Sequence, residues 1–129
     1  MNVVDSSAWL EYFADGPNAD YFAPAIEDAG NLIVPTVCIY EVFKRVLQQR
    51  DEDAALQAMA QMRTGTVVSL DDALAIQAAH LSHVLKIAMA DSMVLATARH
   101  LRATVWTQDD DFKDLPDVCY RAKVKPSTR

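Results

Sequence analysis

A chain of 129 residues has room for one domain built on a single core. Its composition, 51% hydrophobic and 23% charged, excludes a disordered or membrane-embedded protein, and no apolar run approaches the ~20 residues needed to cross a bilayer. The net charge of -6 has the wrong sign for gripping nucleic acid by bulk electrostatics, so such a partner would need another attraction, for example a divalent cation held in an acidic pocket.

Along the chain, short apolar runs of β type alternate with longer runs of helical period, the pattern of an α/β fold with a parallel sheet. Asn2 to Asp5 reads as the first strand. Helices follow over Ser7 to Phe13 and Ala19 to Ala29, separated by Gly16-Pro17. A strand over Leu32 to Val34 leads into helices over Val37 to Gln49 and Glu52 to Met62. The third strand, Thr66 to Leu70, precedes helices over Asp72 to Leu85 and Asp91 to Leu101. Thr104 to Thr107 is the fourth strand and Val118 to Arg121 a weaker fifth. Thr36, Asp51, Asp71 and Asp91 are suited to cap or open the helices they precede. The expected architecture is a three-layer α/β/α sandwich around a central parallel sheet of four to five strands, each buried on both faces. No linker interrupts it, so 1–129 reads as one domain with a basic tail over Lys123 to Arg129.

Cys38 and Cys119 stand singly among aliphatic neighbours and read as free thiols. The N-terminus has no basic segment, apolar run or cleavage site of a secretion signal, which points to the cytoplasm. Trp9, Tyr12 and Phe13 read as core or interface packing, and Met59 and Met62 as core filler.

The acids carry the chemistry. Asp5 closes the first strand, at the edge where parallel sheets place their ligand crevice. Asp109 follows the fourth strand and emerges at the same edge. Glu41 lies beside the apolar stripe of its helix, an expensive place for a charge, and Asp91 opens a very hydrophobic helix. Taken singly, Asp91 is a helix cap, Asp109 a turn acid and Glu41 a surface or capping acid. Taken together, four carboxylates at one crevice need protons or a cation to coexist, and oxygen-only ligation suits Mg²⁺ or Mn²⁺. Three glycines, without GxGxxG or GxxxxGK[ST], leave no phosphate-cradling loop as a rival.

Val4-Asp5-Ser6-Ser7-Ala8, Pro35-Thr36-Val37-Cys38-Ile39-Tyr40-Glu41-Val42, Ala90-Asp91-Ser92-Met93-Val94-Leu95-Ala96-Thr97-Ala98 and Thr107-Gln108-Asp109-Asp110-Asp111-Phe112 follow one another in an order that resembles the PIN-domain ribonucleases. Within that family the resemblance is to the VapC toxins of toxin–antitoxin pairs. It implies a PIN-like fold and a metal-dependent endoribonuclease that cleaves RNA phosphodiester bonds by metal-activated water. Asp5, Glu41, Asp91 and Asp109 would form the catalytic, metal-binding centre. Ser6 or Ser7 would support it and Asp111 stand at its periphery, while Asp109 is preferred over Asp111 as fourth acid and Asp110 should face away. Asp5 and Asp91 would be the direct ligands of Mg²⁺, with Mn²⁺ a substitute. Lys44 and Arg45 are candidate RNA contacts, alternatively an ordinary solvated helix face. The implied partners are RNA, a VapB-type antitoxin and a second copy of the chain, joined through apolar residues near Trp9 and Tyr12, with no membrane.

Three other readings compete. A phospho-receiver domain wants an Asp after strand three, where this chain has Val68-Ser69-Leu70. A haloacid-type phosphatase wants Asp-x-Asp after the first strand, where this chain has Asp5-Ser6-Ser7. A PIN fold that binds RNA or protein without cutting is the third.

Overall fold

The computed structural model describes residues 1–125, so the end of the basic tail, 126–129, lies outside the described residues. Five strands form one parallel sheet in the order β3-β2-β1-β4-β5: β1 (Asn2–Val4), β2 (Leu32–Pro35), β3 (Thr66–Val68), β4 (Thr104–Thr107) and β5 (Val118–Tyr120). The helices are α1 (Ser6–Phe13), α2 (Ala19–Ile26), α3 (Thr36–Gln49), α4 (Glu52–Met62), α5 (Asp72–Leu85) and α6 (Met89–His100). The chain steps from β1 through α1 and α2 to β2, and through α3 and α4 to β3, then returns across the sheet through α5 and α6 to β4. Right-handed crossovers therefore put the first four helices on one face and the last two on the other, the expected three layers. The order differs from the 2-1-3-4-5 of phospho-receiver folds, which removes that reading.

The core runs through both faces of β1 and β2: Val3, Val4, Leu32 and Val34 are fully buried against Trp9, Phe22, Val42, Met62 and Leu95. Each large aliphatic or aromatic side chain removed from water there contributes about 1.5–3 kcal/mol. A smaller cluster of Leu74, Ala78 and Ala96 joins α5 to α6. Burial on both faces fails at the sheet's rim, because β3 has a neighbour on one side only and Val67 is 40% exposed. Trp9, expected near a surface patch, is fully buried, and Tyr12 is half-buried with its hydroxyl donated to Glu27. The exposed large apolar residues lie elsewhere, among them Tyr40 and Leu47 on α3, Ile76 and Val84 on α5, and Met89 on α6. Met62 is buried and Met59 half-buried, and Cys38 and Cys119 are free thiols.

Asp51 and Asp71 cap α4 and α5 as expected, their carboxylates accepting the backbone N–H of Ala54 and Leu74. Two other starts differ. Thr36 is the first residue of α3 rather than its cap, and α6 begins at Met89, so Asp91 lies inside the first turn and Ala88 holds the cap position. α2 ends at Ile26, short of Ala29, and a turn of 3-10 helix occupies Ala29–Asn31. Among the described residues no single helix is long and apolar enough to cross a membrane.

Candidate active site

In a parallel sheet the crevice for ligands opens where successive connections leave in opposite directions. Here that point lies between β1 and β4, which pair in register from Asn2 opposite Thr104 to Val4 opposite Trp106. Asp5 follows β1 and Asp109 follows β4, so both acids leave the sheet at the mouth of the crevice. Asp91, in the first turn of α6, completes the group: one carboxylate oxygen from each of Asp5, Asp91 and Asp109 lies within 4.8 Å of the others.

Asp5 is held most firmly. Its Oδ1 accepts the backbone N–H groups of Ser7 and Ala8 and the Ser7 hydroxyl at 2.7, 3.2 and 2.6 Å, which also caps α1. Its Oδ2 accepts the hydroxyl of Thr107 at 2.6 Å. That same hydroxyl accepts the backbone N–H of Asp109 at 2.9 Å, so one fully buried threonine ties the two acids together. Asp109 in turn caps the 3-10 turn Asp110–Phe112 by accepting the N–H of Asp111.

The electrostatics are those of a cluster short of positive charge. Burial pushes the Asp5 carboxyl above its ordinary range, against the hydrogen bonds that lower it, and Asp109 adds repulsion. Asp91 is raised to about 8, first by burial, then by a shared hydrogen bond with Asp111 and by the charges of Asp109, Asp5 and Asp111. Every charged neighbour acting on either group is an acid. Oxygens on one Mg²⁺ at about 2.1 Å stand about 3.0 Å apart at adjacent positions and about 4.2 Å apart across the ion, so Asp91 and Asp109 would have to close by side-chain rotation to share a hard divalent cation with Asp5. The donors are all carboxylate oxygen, the chemistry such an ion prefers.

Of the remaining candidates, Glu41 lies outside this group of three. It accepts the Ser6 hydroxyl at 2.7 Å and with Asp5 and Asp91 adds to the burial that lifts the Cys38 thiol. Ser7 supports Asp5 directly, whereas Ser6 supports Glu41. Asp111 stands at the rim beside Asp91. Asp110 is exposed and takes the hydroxyl of Tyr120, away from the cluster. Lys44 and Arg45 part company, since the Lys44 ammonium lies 5.7 Å from the Tyr40 ring while Arg45 lines a cleft beside Ser7.

Sequence reasoning missed Thr107, Gln108 and Asn18. The Gln108 N–H donates to the Ser7 hydroxyl at 3.1 Å, and its side chain bridges Ser7 O and the amide of Asn18. A signal existed for Thr107, a polar residue at an inward position of a buried strand two places before an acid. For Asn18, after Gly16-Pro17, the sequence suggests only a turn.

The PIN domain family profile matches residues 3–118. The fold resembles a toxin–antitoxin complex chain from Klebsiella pneumoniae at TM-score 0.77 and 18% identity, covering 92% of this chain and 96% of that one. It also resembles VapC20 of Mycobacterium tuberculosis, described as a toxin cleaving the sarcin–ricin loop, at TM-score 0.75 and 17% identity, covering 92% and 97%. A third is the DNA-bound VapBC of Salmonella typhimurium, at TM-score 0.70 and 12% identity, covering 95% and 97%. Among curated proteins nothing matched.

Proposed function

The chain belongs to the PIN domain family, and from that membership we propose that it is a divalent-metal-dependent endoribonuclease, the toxin of a toxin–antitoxin pair. One observation carries the reading: three carboxylates from separate elements converge within 4.8 Å at the switch point of the sheet, without a cationic partner among the described residues. Evolving such a group against its own repulsion makes physical sense if a cation completes it.

A Mg²⁺ ion, with Mn²⁺ as substitute, would be held by Asp5 and Asp91, with Asp109 and Glu41 completing the acidic centre. When bound, the ion would supply Lewis-acid stabilisation of charge on the phosphate and ease deprotonation of the attacking water. The protein's own part is positioning. Asp5 cannot turn without losing the Thr107 and Ser7 hydroxyls, so it presents a fixed face to the crevice. Asp109 inherits that fixity through Thr107. Asp91, half-buried among acids that raise its carboxyl, would hold the ion in its ionised form. No side chain in the group is a nucleophile of the serine or cysteine kind, and Cys38, buried and with its thiol pKa raised, is inert.

Of the solved structures of like fold, one is a toxin–antitoxin complex, one a toxin and one a DNA-bound VapBC, which supports an antitoxin partner here. Such a partner would lay an apolar segment on α3, where Ile39, Phe43 and Leu47 gather with Met59, and present an arginine to the acids. Deleting the partner's carboxyl-terminal segment should abolish inhibition, and inhibition that survives would refute this mode. A second copy of the chain would use the apolar residues that are exposed on α5 and α6, Ile76, Val84 and Met89, with Trp9 buried inside each. The ribonuclease reading itself is tested by incubating purified protein with RNA. Cleavage should require Mg²⁺ or Mn²⁺ and stop in EDTA, and undiminished cutting in EDTA would overturn it.

A further inference from the structure

We infer that the cleft between α1, α3 and the segment after β5 is a subsite for a phosphate of the RNA strand adjoining the one being cut, with Arg45 and Lys123 as its cations. The inference rests on the ribonuclease reading above and extends it to how an acidic protein holds a polyanion.

The cleft has a volume of about 310 Å³, and Ser7, Glu11, Arg45, Gln49, Gln108 and Lys123 line it. It adjoins the acidic centre through two wall residues, Ser7, whose hydroxyl donates to Asp5, and Gln108, which immediately precedes Asp109. Its far wall is fixed from inside. Asn18, only 4% exposed, donates from its amide both to Gln108 Oε1 at 2.8 Å and to the carbonyl of Ala122 at 2.9 Å. The backbone N–H of Arg121 donates to Thr107 O at 3.0 Å. Ala122 is thereby pinned to the scaffold of the acids, and the next residue, Lys123, reaches the cleft beside Ser7.

The charges sort themselves around this wall. Glu11, the acid of the cleft, is engaged by the Asn18 N–H at 2.8 Å. Arg45 comes from α3 and Lys123 from beyond β5, so two cations far apart in sequence converge on one space. Neighbouring cations go elsewhere: Lys44 lies against Tyr40, and the Arg121 guanidinium stacks 4.3 Å from the Tyr21 ring. A strand whose scissile phosphate sits at the acids must carry its next phosphates over the surrounding surface, and in a chain of net charge -6 most of that surface repels them. The flank where two cations face one acid, whose carboxylate is already turned to the Asn18 N–H, is where the strand can continue.

The experiment uses the full chain and a single-stranded RNA oligonucleotide, with kcat and KM measured across a range of salt. Arg45→Gln and Lys123→Gln should each raise KM roughly 3- to 10-fold with kcat little changed, and each should flatten the slope of log KM against log salt by about 0.7, the share of one phosphate contact. Arg45→Lys and Lys123→Arg should restore most of the affinity. Arg102→Gln, which removes a cation just ahead of β4 and so at the opposite end of that strand from Asp109, is the control and should leave KM alone. Melting curves establish that each variant is folded. Wild-type KM and slope in both cleft variants would overturn the subsite, as would an equal rise in Arg102→Gln, which would make the effect one of bulk charge. A wild-type protein that cuts no RNA at all fails the ribonuclease reading first.

Discussion

Asp51 and Asp71 open α4 and α5 as aspartates ordinarily open helices: exposed, each accepting a backbone N–H from the first turn. Asp91, near the start of α6, does none of this. The cap position ahead of it is Ala88, which offers no side-chain bond, and the Asp91 carboxyl turns toward Asp5, Asp109 and Asp111 instead. Asp5 combines both duties, capping α1 with one oxygen while the other is held by Thr107 in the crevice. The same residue type thus contributes stability at the rim of the molecule and costs it at the switch point. What separates the two is burial and the sign of the neighbours, and a site that forgoes a helix cap to gather like charges is organised around something that must arrive from outside.

The largest effect that could break this contrast is on activity. Asp91→Asn keeps the shape and removes the charge, so cleavage should fall by roughly 10²-fold or more, the scale of losing one electrostatic stabiliser. Folding should not suffer, because the metal-free cluster is relieved of one repulsive acid. The pH dependence of melting sharpens the point. Asp5 and Asp91 are both raised in the folded state, Asp91 from 3.8 to about 8, so between those values the native protein binds more protons than the unfolded chain. Stability in EDTA should therefore be greatest in mild acid and decline as pH rises toward 8. Asp91→Asn should flatten the decline, and added divalent cation, which needs the carboxylates ionised, should offset it at the upper end. A wild-type melt in EDTA that rises steadily from pH 4 to 8, or activity retained in Asp91→Asn, would return Asp91 to the company of Asp51 and Asp71.

An effect of middle size belongs to the capping acids. Asp71→Ala should cost about 1 kcal/mol, a few degrees in Tm, while Asp71→Asn should cost almost nothing, and both should retain full specific activity. A loss of cleavage on changing Asp71 would mean that the rim and the crevice are not separate regions.

How much of this contrast is readable in the sequence follows from where the signals lie. Alternating β and helical runs give the five-stranded α/β fold, and the acids Asp5 and Asp109 announce themselves because strand ends in a parallel sheet share one edge. The sequence cannot separate Asp91 from Asp71, since each is an aspartate ahead of an apolar helical run and only the tertiary setting decides which carboxylate turns inward. Lys86 illustrates the same limit: it ends α5 in the left-handed conformation, at φ 58°, where sequence rules look for Gly or Asn. Nor can local pattern link Asn18 to Gln108, 90 positions later, or place Lys123 beside Arg45. These pairings exist only once the sheet is assembled.

The smallest expected effect is the most discriminating control. Asp110 sits between Asp109 and Asp111 in the turn after β4, so Asp110→Asn removes the same unit of charge as Asp91→Asn, but beside the acidic centre rather than within it. If the acidic centre worked merely by its summed negative field, the two variants would resemble each other. They should not, because Asp110 is exposed and its carboxylate is occupied by the hydroxyl of Tyr120, clipping the turn to β5. Activity in Asp110→Asn should stay within about twofold of wild type, as surface changes away from a site usually do. The substitution should still leave a mark elsewhere. The bond to Asp110 is the chief cause that raises the Tyr120 phenol above its ordinary value, so an alkaline absorbance titration should show one tyrosine ionising at lower pH in the variant. A shifted tyrosine with intact cleavage would show that the residue changed its environment and that the reaction did not need it. A fall in cleavage matching that of Asp91→Asn would mean that position relative to the acidic centre is immaterial, and the distinction between a gathered cluster and ordinary surface acids would be lost.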